Sequence, residues 1–167
     1  KFGKKRKGNV KLLKIYSKKY NYKMLKIKPL KFFNTMVSST KIRNFLKNGN
    51  ITLANKFLSR SWSIEGDVIK GKKIGRKLGY RTCNIKIKNY ILPKIGIYAV
   101  KILIEKNKRV YDGVAYLGSR PTFGGSKIFL ETNIFGINKN LYKKRIKVFF
   151  IKFLRGDKKF KNSSLLV

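Results

Sequence analysis

The spacing of apolar residues changes near residue 59, and this change organises the chain. From there onwards apolar and polar residues alternate, as they do in strands with one buried face. The connections are short, with a hairpin predicted across 106–108 and a further strand pairing across 137–140. Six strands joined in this way predict a mainly β fold, a small antiparallel barrel. The predicted strands cover residues 62–70, 82–87, 95–105, 109–117, 127–135 and 142–154.

Before residue 59 the pattern is mostly helical. An apolar-rich helix is predicted over 10–16, an alternating strand over 22–27, and a short helix over 53–58. Between them, Ser39 and Thr40, together with the preceding serine, can cap a helix that runs to residue 47 and ends at Gly49. We therefore expect a helical remnant over 1–58, beginning in the middle of a fold, and an all-β domain over 59–167.

A glycine-rich basic loop separates the first two predicted strands. Gly71, Gly75 and Gly79 punctuate it, and Arg76 is one of its five basic side chains. Glycines let backbone amides approach an anion closely, so the loop suits a phosphate. A solvated turn is the alternative reading, and the loop alone does not decide between the two.

Two polar residues follow this loop. Thr82 and Asn84 are two positions apart and would point the same way in an extended segment. A hydroxyl and an amide in this arrangement suit a metal–phosphate site, where oxygen ligands matter more than a nucleophile. A hydrogen-bonded turn pair is the alternative.

The net charge of +37 is the most pronounced feature of the composition. A chain this basic can bind nucleic acid, and an RNA- or ribosome-associated β-barrel module is one hypothesis. However, the basic residues are spread over the whole length and only 9 of the 43 are arginine. Arginine is the residue that reads phosphates and bases in bidentate fashion. We therefore favour compositional drift as the source of the charge.

Other residue types exclude several classes of protein. The chain has no histidine and a single cysteine, Cys83, which rules out an internal disulfide and argues against a zinc site. No apolar run reaches the roughly 18 residues of a membrane span. A hydrophobic fraction of 43% is enough for a packed core. We expect a cytoplasmic protein with no membrane partner.

One carboxylate stands out among only six acidic residues. Glu131 shares a strand face with Phe129 and Phe135 if the alternation holds. This face is either solvent-exposed or forms a pocket in which the carboxylate abstracts a proton. The sequence leaves both readings open.

Taken together, these stretches resemble the riboflavin kinase domain of bacterial bifunctional riboflavin kinase/FMN adenylyltransferases (FAD synthetases). The family's Pro-Thr-Ala-Asn is similar to Arg81-Thr82-Cys83-Asn84, and its Gly-Val-x-Asn-Ile-Gly-Thr-Arg-Pro-Thr-Phe is similar to residues 113–123. The family's glutamate falls on Glu131, and the segment before its terminal helix is similar to 154–160. The resemblance implies a Greek-key-like barrel of riboflavin kinase type.

The preceding part of the chain also resembles that family. Residues 2–4 and 8–9 look like a loop of its adenylyltransferase domain, and 38–43 is similar to its Ser-Ser-Thr-x-x-Arg motif. The resemblance implies an α/β remnant of a nucleotidyltransferase domain, with Ser39, Thr40 and Arg43 as former phosphate contacts. The family's His-x-Gly-His motif has no counterpart in a chain without histidine. We therefore expect FAD-forming adenylyltransferase activity to be absent.

The function implied by the resemblance is transfer of the ATP γ-phosphate to the 5′-hydroxyl of riboflavin, which gives FMN. Glu131 would be the base, Thr82 and Asn84 would bind Mg²⁺ and phosphates with Thr82 as the metal ligand, and Arg155 would lie near the flavin. The loop residues Gly71, Gly75 and Arg76 would cover the ATP phosphates. An inactive remnant of the enzyme is the alternative.

The chain departs from the family pattern at several positions. Arg81 stands where the family has proline, which predicts a looser backbone before Thr82. Tyr116 stands where the family has asparagine, and Gly156-Asp157 stands where an acidic pair is usual.

Overall fold

The computed structural model describes residues 2–71, 79–105, 109–119 and 128–157. The chain divides into two compact units, Lys1–Met36 and Val37–Val167. Residues 37–58 therefore fall in the same unit as the barrel strands. The sequence places a boundary near residue 59, between a remnant of an adenylyltransferase domain and the barrel domain. This boundary stays a prediction.

The first unit contains one helix and one small hairpin. A 3₁₀ turn, Lys4–Arg6, precedes α1, Val10–Lys19, and the strands β1, Lys31–Phe32, and β2, Thr35–Met36, pair antiparallel. The side chain of Asn9 caps α1 by accepting a hydrogen bond from the Leu12 amide at 3.0 Å. The predicted helix over 10–16 is confirmed and continues to residue 19.

The strand predicted over 22–27 is wrong. These residues adopt no regular structure, although their apolar residues alternate. Alternation alone does not make a strand, because the backbone groups need a neighbouring strand to pair with. Tyr22 instead hydrogen-bonds back to the first unit's helix, its hydroxyl donating to the carbonyl of Leu13 at 2.9 Å.

Two short helices open the second unit. They are α2, Ser39–Lys47, and α3, Ile51–Leu58, and they pack against each other. Ser38 is the cap residue of α2, accepting from the Lys41 amide at 3.3 Å, and Gly49 follows the helix at a φ of 80°. Both predicted helices are confirmed. In the described part of the chain, no helix has the length and apolar character needed to cross a membrane.

Six strands then form a closed antiparallel barrel, which confirms the predicted fold class. Their order around the barrel is β3-β4-β7-β6-β5-β8. The strands are β3, Ser63–Ile69; β4, Thr82–Ile85; β5, Gly96–Ile104; β6, Val110–Ser119; β7, Ile128–Ile134; and β8, Arg145–Arg155.

The pairing predicted between the last two strands is wrong. β7 pairs with β4 on one side and β6 on the other, whereas β8 pairs with β3 and β5. Both edges of β7 are thus occupied, and the connection over 135–144 crosses to the far side of the barrel. Alternation sets which face of a strand is buried, but it does not specify the neighbouring strand.

The barrel is filled by the inward-facing side chains of its strands. Tyr98 and Phe150 are fully buried, with ring centroids 4.9 Å apart, and Trp62 lies 5.0 Å from Phe150. Burial raises the pKa of the Tyr98 phenol, whose hydroxyl donates to the carbonyl of Lys94. The residues that face outwards are therefore not needed to fill the core.

Asn55 helps to join the helices to the barrel. The side-chain amide of Asn55 in α3 donates to the Phe150 carbonyl at 2.8 Å, and its oxygen accepts from the Trp62 amide at 2.7 Å. Both backbone groups are partly buried, so the side chain satisfies two groups that would otherwise be costly.

Thr132 provides a test of the packing inside the barrel. It is fully buried, and its hydroxyl oxygen has no hydrogen-bond partner among the described residues. Because a buried hydroxyl without a partner is destabilising, we expect Thr132→Val to raise the free energy of unfolding by about 1 kcal/mol. Urea unfolding followed by the fluorescence of Trp62, the single tryptophan, measures the change.

The matched control is Thr52→Val, at an exposed position of α3, where the change should stay within about 0.5 kcal/mol. A lower unfolding free energy for Thr132→Val would show that a bound water or an adjustment of the site already satisfies the hydroxyl.

Candidate active site

A row of cross-strand partners crosses the outer face of the barrel. Asn84 lies opposite Glu131, Glu131 opposite Tyr116, Tyr116 opposite Ile97, and Ile97 opposite Arg155. Directly opposed residues in a sheet share a face, so all five side chains lie on the same side of the wall. We call this set the outer row. With strands about 4.8 Å apart, it extends over about 19 Å.

Three residues predicted from the sequence come together at one end of the outer row. The Thr82 hydroxyl donates to Oε1 of Glu131 at 2.5 Å, across the β4–β7 pairing. Asn84 is on the same face, two residues further along β4 and opposite Glu131. All three side chains are partly buried. The structure thus gathers a carboxylate, a hydroxyl and an amide, and the Thr82 hydroxyl fixes the orientation of the carboxylate.

The basic loop begins directly against this group. A Cβ added at Gly71 would collide with the side-chain nitrogen and carbon of Asn84, so a larger residue here would have to displace the Asn84 side chain. Of the other loop residues predicted to bind phosphate, Gly75 and Arg76 lie outside the described residues.

Arg81, the residue at the family's proline position, is held by hydrogen bonds. Its guanidinium donates to the Asn138 carbonyl at 2.8 Å, and its own carbonyl accepts from the side chain of Asn133 at 2.7 Å. These bonds tie the start of β4 to β7 and to the loop after it. The backbone before Thr82 is therefore positioned by hydrogen bonds where a proline would restrict it through its ring.

A cavity of about 370 Å³ adjoins Thr82. Its wall combines the exposed cations Arg81 and Lys139 with the buried apolar side chains Val68 and Leu141. The lining residues are Val68, Arg81, Thr82, Cys83, Lys139, Asn140, Leu141 and Tyr142. An apolar wall beside positive charge suits a flat organic group attached to an anion.

Cys83 points away from the outer row. It lies between Thr82 and Asn84 on β4 and is paired with the buried Thr132. Burial raises the pKa of the Cys83 thiol, and the negative charge of Glu131 raises it further. The thiol is therefore protonated at neutral pH and is not an activated nucleophile.

Beside Glu131 lie two aromatic rings, and an arginine lies at the far end of the outer row. The ring centroid of Tyr116 lies 5.6 Å from that of Phe129, and the Tyr116 hydroxyl donates to Asp157 at 2.9 Å. Arg155 ends the outer row, is exposed, and donates to the Gly156 carbonyl at 3.3 Å. Phe135, predicted to share this face, follows the end of β7 and is 52% exposed.

The three residues of the predicted adenylyltransferase motif are elsewhere. Ser39 and Thr40 are the first two residues of α2, Arg43 follows one turn later, and all three are exposed. They are not part of the outer row, and their role in phosphate binding stays a prediction.

The donor set determines which metal would fit. The described residues contain no cluster of three or more carboxylate, thiol or imidazole side chains able to hold a metal ion by themselves. The Thr82 hydroxyl beside Glu131 fits a hard cation that takes most of its ligands from phosphates and water. Mg²⁺ delivered with ATP fits this description, whereas a metal that needs an all-protein cage does not.

Three features were not expected from the sequence. They are the hydrogen bond from Asn133 to the Arg81 carbonyl, the position of Tyr142 in the cavity wall, and the hydrogen bond that anchors the Arg81 side chain. Asn133 could have been found, because the alternation that places Glu131 outwards also places the residue two positions later outwards. The lining of the cavity by 139–142 depends on where that loop returns to β4, for which the local sequence gives no signal.

The raised pKa of Cys83 can be tested by alkylation. Because the thiolate is the reactive form, iodoacetamide should modify the chain slowly at pH 7 and increasingly fast above the ordinary thiol pKa. Glu131→Gln should speed the reaction, since it removes a nearby negative charge. Intact-protein mass reports the result directly, because the chain has one cysteine. Modification at pH 7 as fast as that of a free thiol would contradict the assignment.

Comparison with known proteins finds a matching family model and curated relatives. The family model described as "Flavokinase: Riboflavin kinase" matches residues 58–167. A bifunctional riboflavin kinase/FMN adenylyltransferase from Buchnera aphidicola subsp. Schizaphis graminum is 43% identical over 99% of this chain and 54% of its own length. The protein of the same name from Haemophilus influenzae is 36% identical over 96% of this chain and 52% of its own length.

A solved structure shares the fold. The crystal structure of a macrolide-efflux protein from Streptococcus pneumoniae matches 99% of this chain and 53% of that chain, with a TM-score of 0.85 and 29% sequence identity. The name describes that protein, and what the two chains have in common is the fold.

The chain spans about half the length of the curated relatives that it matches. The match to the family model covers the whole barrel, including β4 with Thr82 and Asn84 and β7 with Glu131. The chain belongs to the riboflavin kinase family.

Proposed function

We propose that this chain is a riboflavin kinase, which transfers the γ-phosphoryl group of ATP to the 5′-hydroxyl of riboflavin and yields FMN and ADP. The observation that carries the proposal is the hydrogen bond between Thr82 and Glu131, with Asn84 beside it on the same face. Phosphoryl transfer depends on positioning and charge stabilisation, and such a site needs one base among many donors.

Glu131 is the proposed base. Its carboxylate accepts the proton of the 5′-hydroxyl as the new oxygen–phosphorus bond forms and the bond to the bridging oxygen of ADP breaks. The Thr82 hydroxyl holds that carboxylate in a fixed direction. A positioned base typically contributes ~10²–10⁴-fold to the rate.

The nucleotide belongs on the β4 side of Glu131. The cavity beside Thr82 offers an apolar wall for the base of ATP and two cations, Arg81 and Lys139, for its phosphates. Gly71 brings the start of the glycine-rich loop against Asn84, which supports the prediction that this loop covers the phosphates.

Mg²⁺ would offset the charge on the β- and γ-phosphates when bound with ATP. Thr82 is the residue proposed to ligate it, because its hydroxyl donates to Glu131 and the residue also lines the cavity. Asn84 would hydrogen-bond the phosphate oxygens from the adjacent position.

We further propose that this chain does not form FAD. Its 167 residues contain no histidine, and the adenylyltransferase motif of the family is built on two. A reducing compartment such as the cytoplasm suits a protein whose one cysteine is a free thiol.

The central test replaces the proposed base. Purified protein with Mg²⁺-ATP and riboflavin should form FMN, and Glu131→Gln should lower kcat by ~10²–10⁴-fold. Chromatographic separation of riboflavin, FMN and FAD measures the products, and no FAD should appear. The matched control is Glu105→Gln, an exposed residue after β5, which should retain the parent rate.

A folded parent that forms no FMN would refute the kinase. Riboflavin or ATP binding without turnover would then favour an inactive remnant. Binding of RNA alone, weakening steeply with salt, would favour a basic RNA-associated module. A rate for Glu131→Gln within a few-fold of the parent would remove Glu131 from the role of base.

A second test concerns the nucleotide side. Arg81→Gln removes a cation from the cavity and the hydrogen bond to Asn138 that fixes the following loop. We expect the KM for ATP to rise by about tenfold, in line with the loss of a charged hydrogen bond, while the KM for riboflavin changes little. Steady-state kinetics with each substrate varied in turn separates the two.

Lys86→Gln is the control, since Lys86 is exposed, follows β4 and does not line the cavity. Equal effects of Arg81→Gln on both KM values would show that the residue acts through the whole fold.

A further inference from the structure

We propose that Tyr116 is a flavin-binding residue of this kinase, its phenol ring forming the surface on which the isoalloxazine ring of riboflavin stacks. The inference rests on the proposed function and extends it to a residue at which this chain departs from its family. It is carried by the position of Tyr116 in the outer row and by the contacts that hold its ring.

The direction of the flavin follows from the geometry of the transfer. The attacking and leaving oxygens lie roughly in line on opposite sides of the transferred phosphorus. With the nucleotide on the β4 side and the 5′-hydroxyl at Glu131, the rest of riboflavin must extend away from β4. The next residue of the outer row in that direction is Tyr116, followed by Ile97 and then Arg155.

The Tyr116 ring lies along the sheet instead of projecting from it. Gly118, two residues further along β6, is on the same face, and a Cβ added there would collide with the Tyr116 hydroxyl oxygen and the ring atoms next to it. The ring therefore occupies the space above Gly118 that any other side chain would fill. A flat ring lying against a sheet can present a face to a second flat ring.

Two further contacts fix the ring in this orientation. Its hydroxyl donates to Asp157 at 2.9 Å, and Phe129, the cross-strand partner of Gly118, lies beside it with a ring centroid 5.6 Å away and tilted by 59°. Aromatic side chains held in this way act as stacking platforms for planar heterocycles, because little conformational entropy is lost on binding.

The polarity of the side chains in and beside the outer row agrees with this assignment. The end near β4 carries the polar side chains Thr82 and Asn84, which suit phosphates, whereas Tyr116 and Ile97 are largely apolar. Riboflavin has the same polarity, with a hydroxylated chain at one end and a flat aromatic ring at the other. The flavin can thus lie along the outer row with each part against side chains of matching character.

The experiment compares three variants for riboflavin binding and turnover. Riboflavin fluorescence is titrated with protein in the absence of ATP, and the KM values for riboflavin and ATP are measured separately. Tyr116→Leu should weaken riboflavin binding and raise its KM by about tenfold, because it removes the stacking ring, while the KM for ATP stays unchanged. It should also reduce the quenching of bound flavin, since the phenol is the electron donor that quenches it.

Tyr116→Phe keeps the ring and loses the bond to Asp157, so the riboflavin KM should stay within about threefold of the parent. Quenching should nevertheless fall, because a phenyl ring is a poor electron donor. Tyr20→Leu is the matched control, an exposed tyrosine in the first unit, and it should resemble the parent in every measurement.

The outcomes separate this inference from the function on which it rests. A parent that neither binds nor phosphorylates riboflavin refutes the kinase and the inference together. If the parent phosphorylates riboflavin and Tyr116→Leu has the same riboflavin KM and the same flavin quenching as the parent, the inference is overturned and the kinase stands. If Tyr116→Leu does not fold, unchanged quenching in Tyr116→Phe overturns it instead.

Discussion

The pairing of β7 with both β4 and β6 is the constraint on which the candidate site depends. It places Glu131 between Asn84 on one side and Tyr116 on the other, and it brings Thr82 within hydrogen-bond distance of the carboxylate. Had β7 paired with β8, as its position in the sequence suggests, these residues would lie on separate parts of the wall. The order of the strands therefore brings the residues of the candidate site together.

In the closed barrel, the residues that stabilise the fold and the residues of the candidate site lie on opposite faces of the same strands. Residues that face inwards, such as Tyr98, Ile102 and Phe150, are fully buried and fill the interior. The outward-facing residues of the same strands are then available for polar groups without leaving a hole in the core. This division explains how a strand such as β7 can carry both Leu130 in the core and Glu131 in the site.

The sequence alone predicted the helices and the six barrel strands, and it singled out three residues that the structure brings together, whose roles stay a prediction. Alternation located all six barrel strands, and motif spacing singled out Thr82, Asn84 and Glu131. Sequence reasoning was wrong where the answer depends on contacts distant along the chain. The strand predicted over 22–27 has no neighbour to pair with, and the partner of β7 is chosen by closure of the whole barrel.

The effect of Arg81, which stands where the family has proline, also could not be predicted from the neighbouring residues in the sequence. Arg81 was expected to loosen the backbone before Thr82, but hydrogen bonds to Asn138 and from Asn133 anchor that segment. Both hydrogen-bond partners lie more than fifty positions away in the sequence, so the motif around Arg81 gives no sign of these bonds. Tyr116 is similar, because its orientation is set by Gly118, Phe129 and Asp157 together.

The pairing of β3 with β8 closes the barrel and joins residues some eighty positions apart, as in the ion pair of Glu65 with Arg145. Contacts of such large sequence separation slow folding, because a long loop must be ordered before they form. During synthesis one edge of β3 stays unpaired until β8 has been made. An exposed strand edge of this kind can pair with other chains. The same closure that shapes the finished site thus makes the nascent chain vulnerable to aggregation until almost all of the barrel has been made.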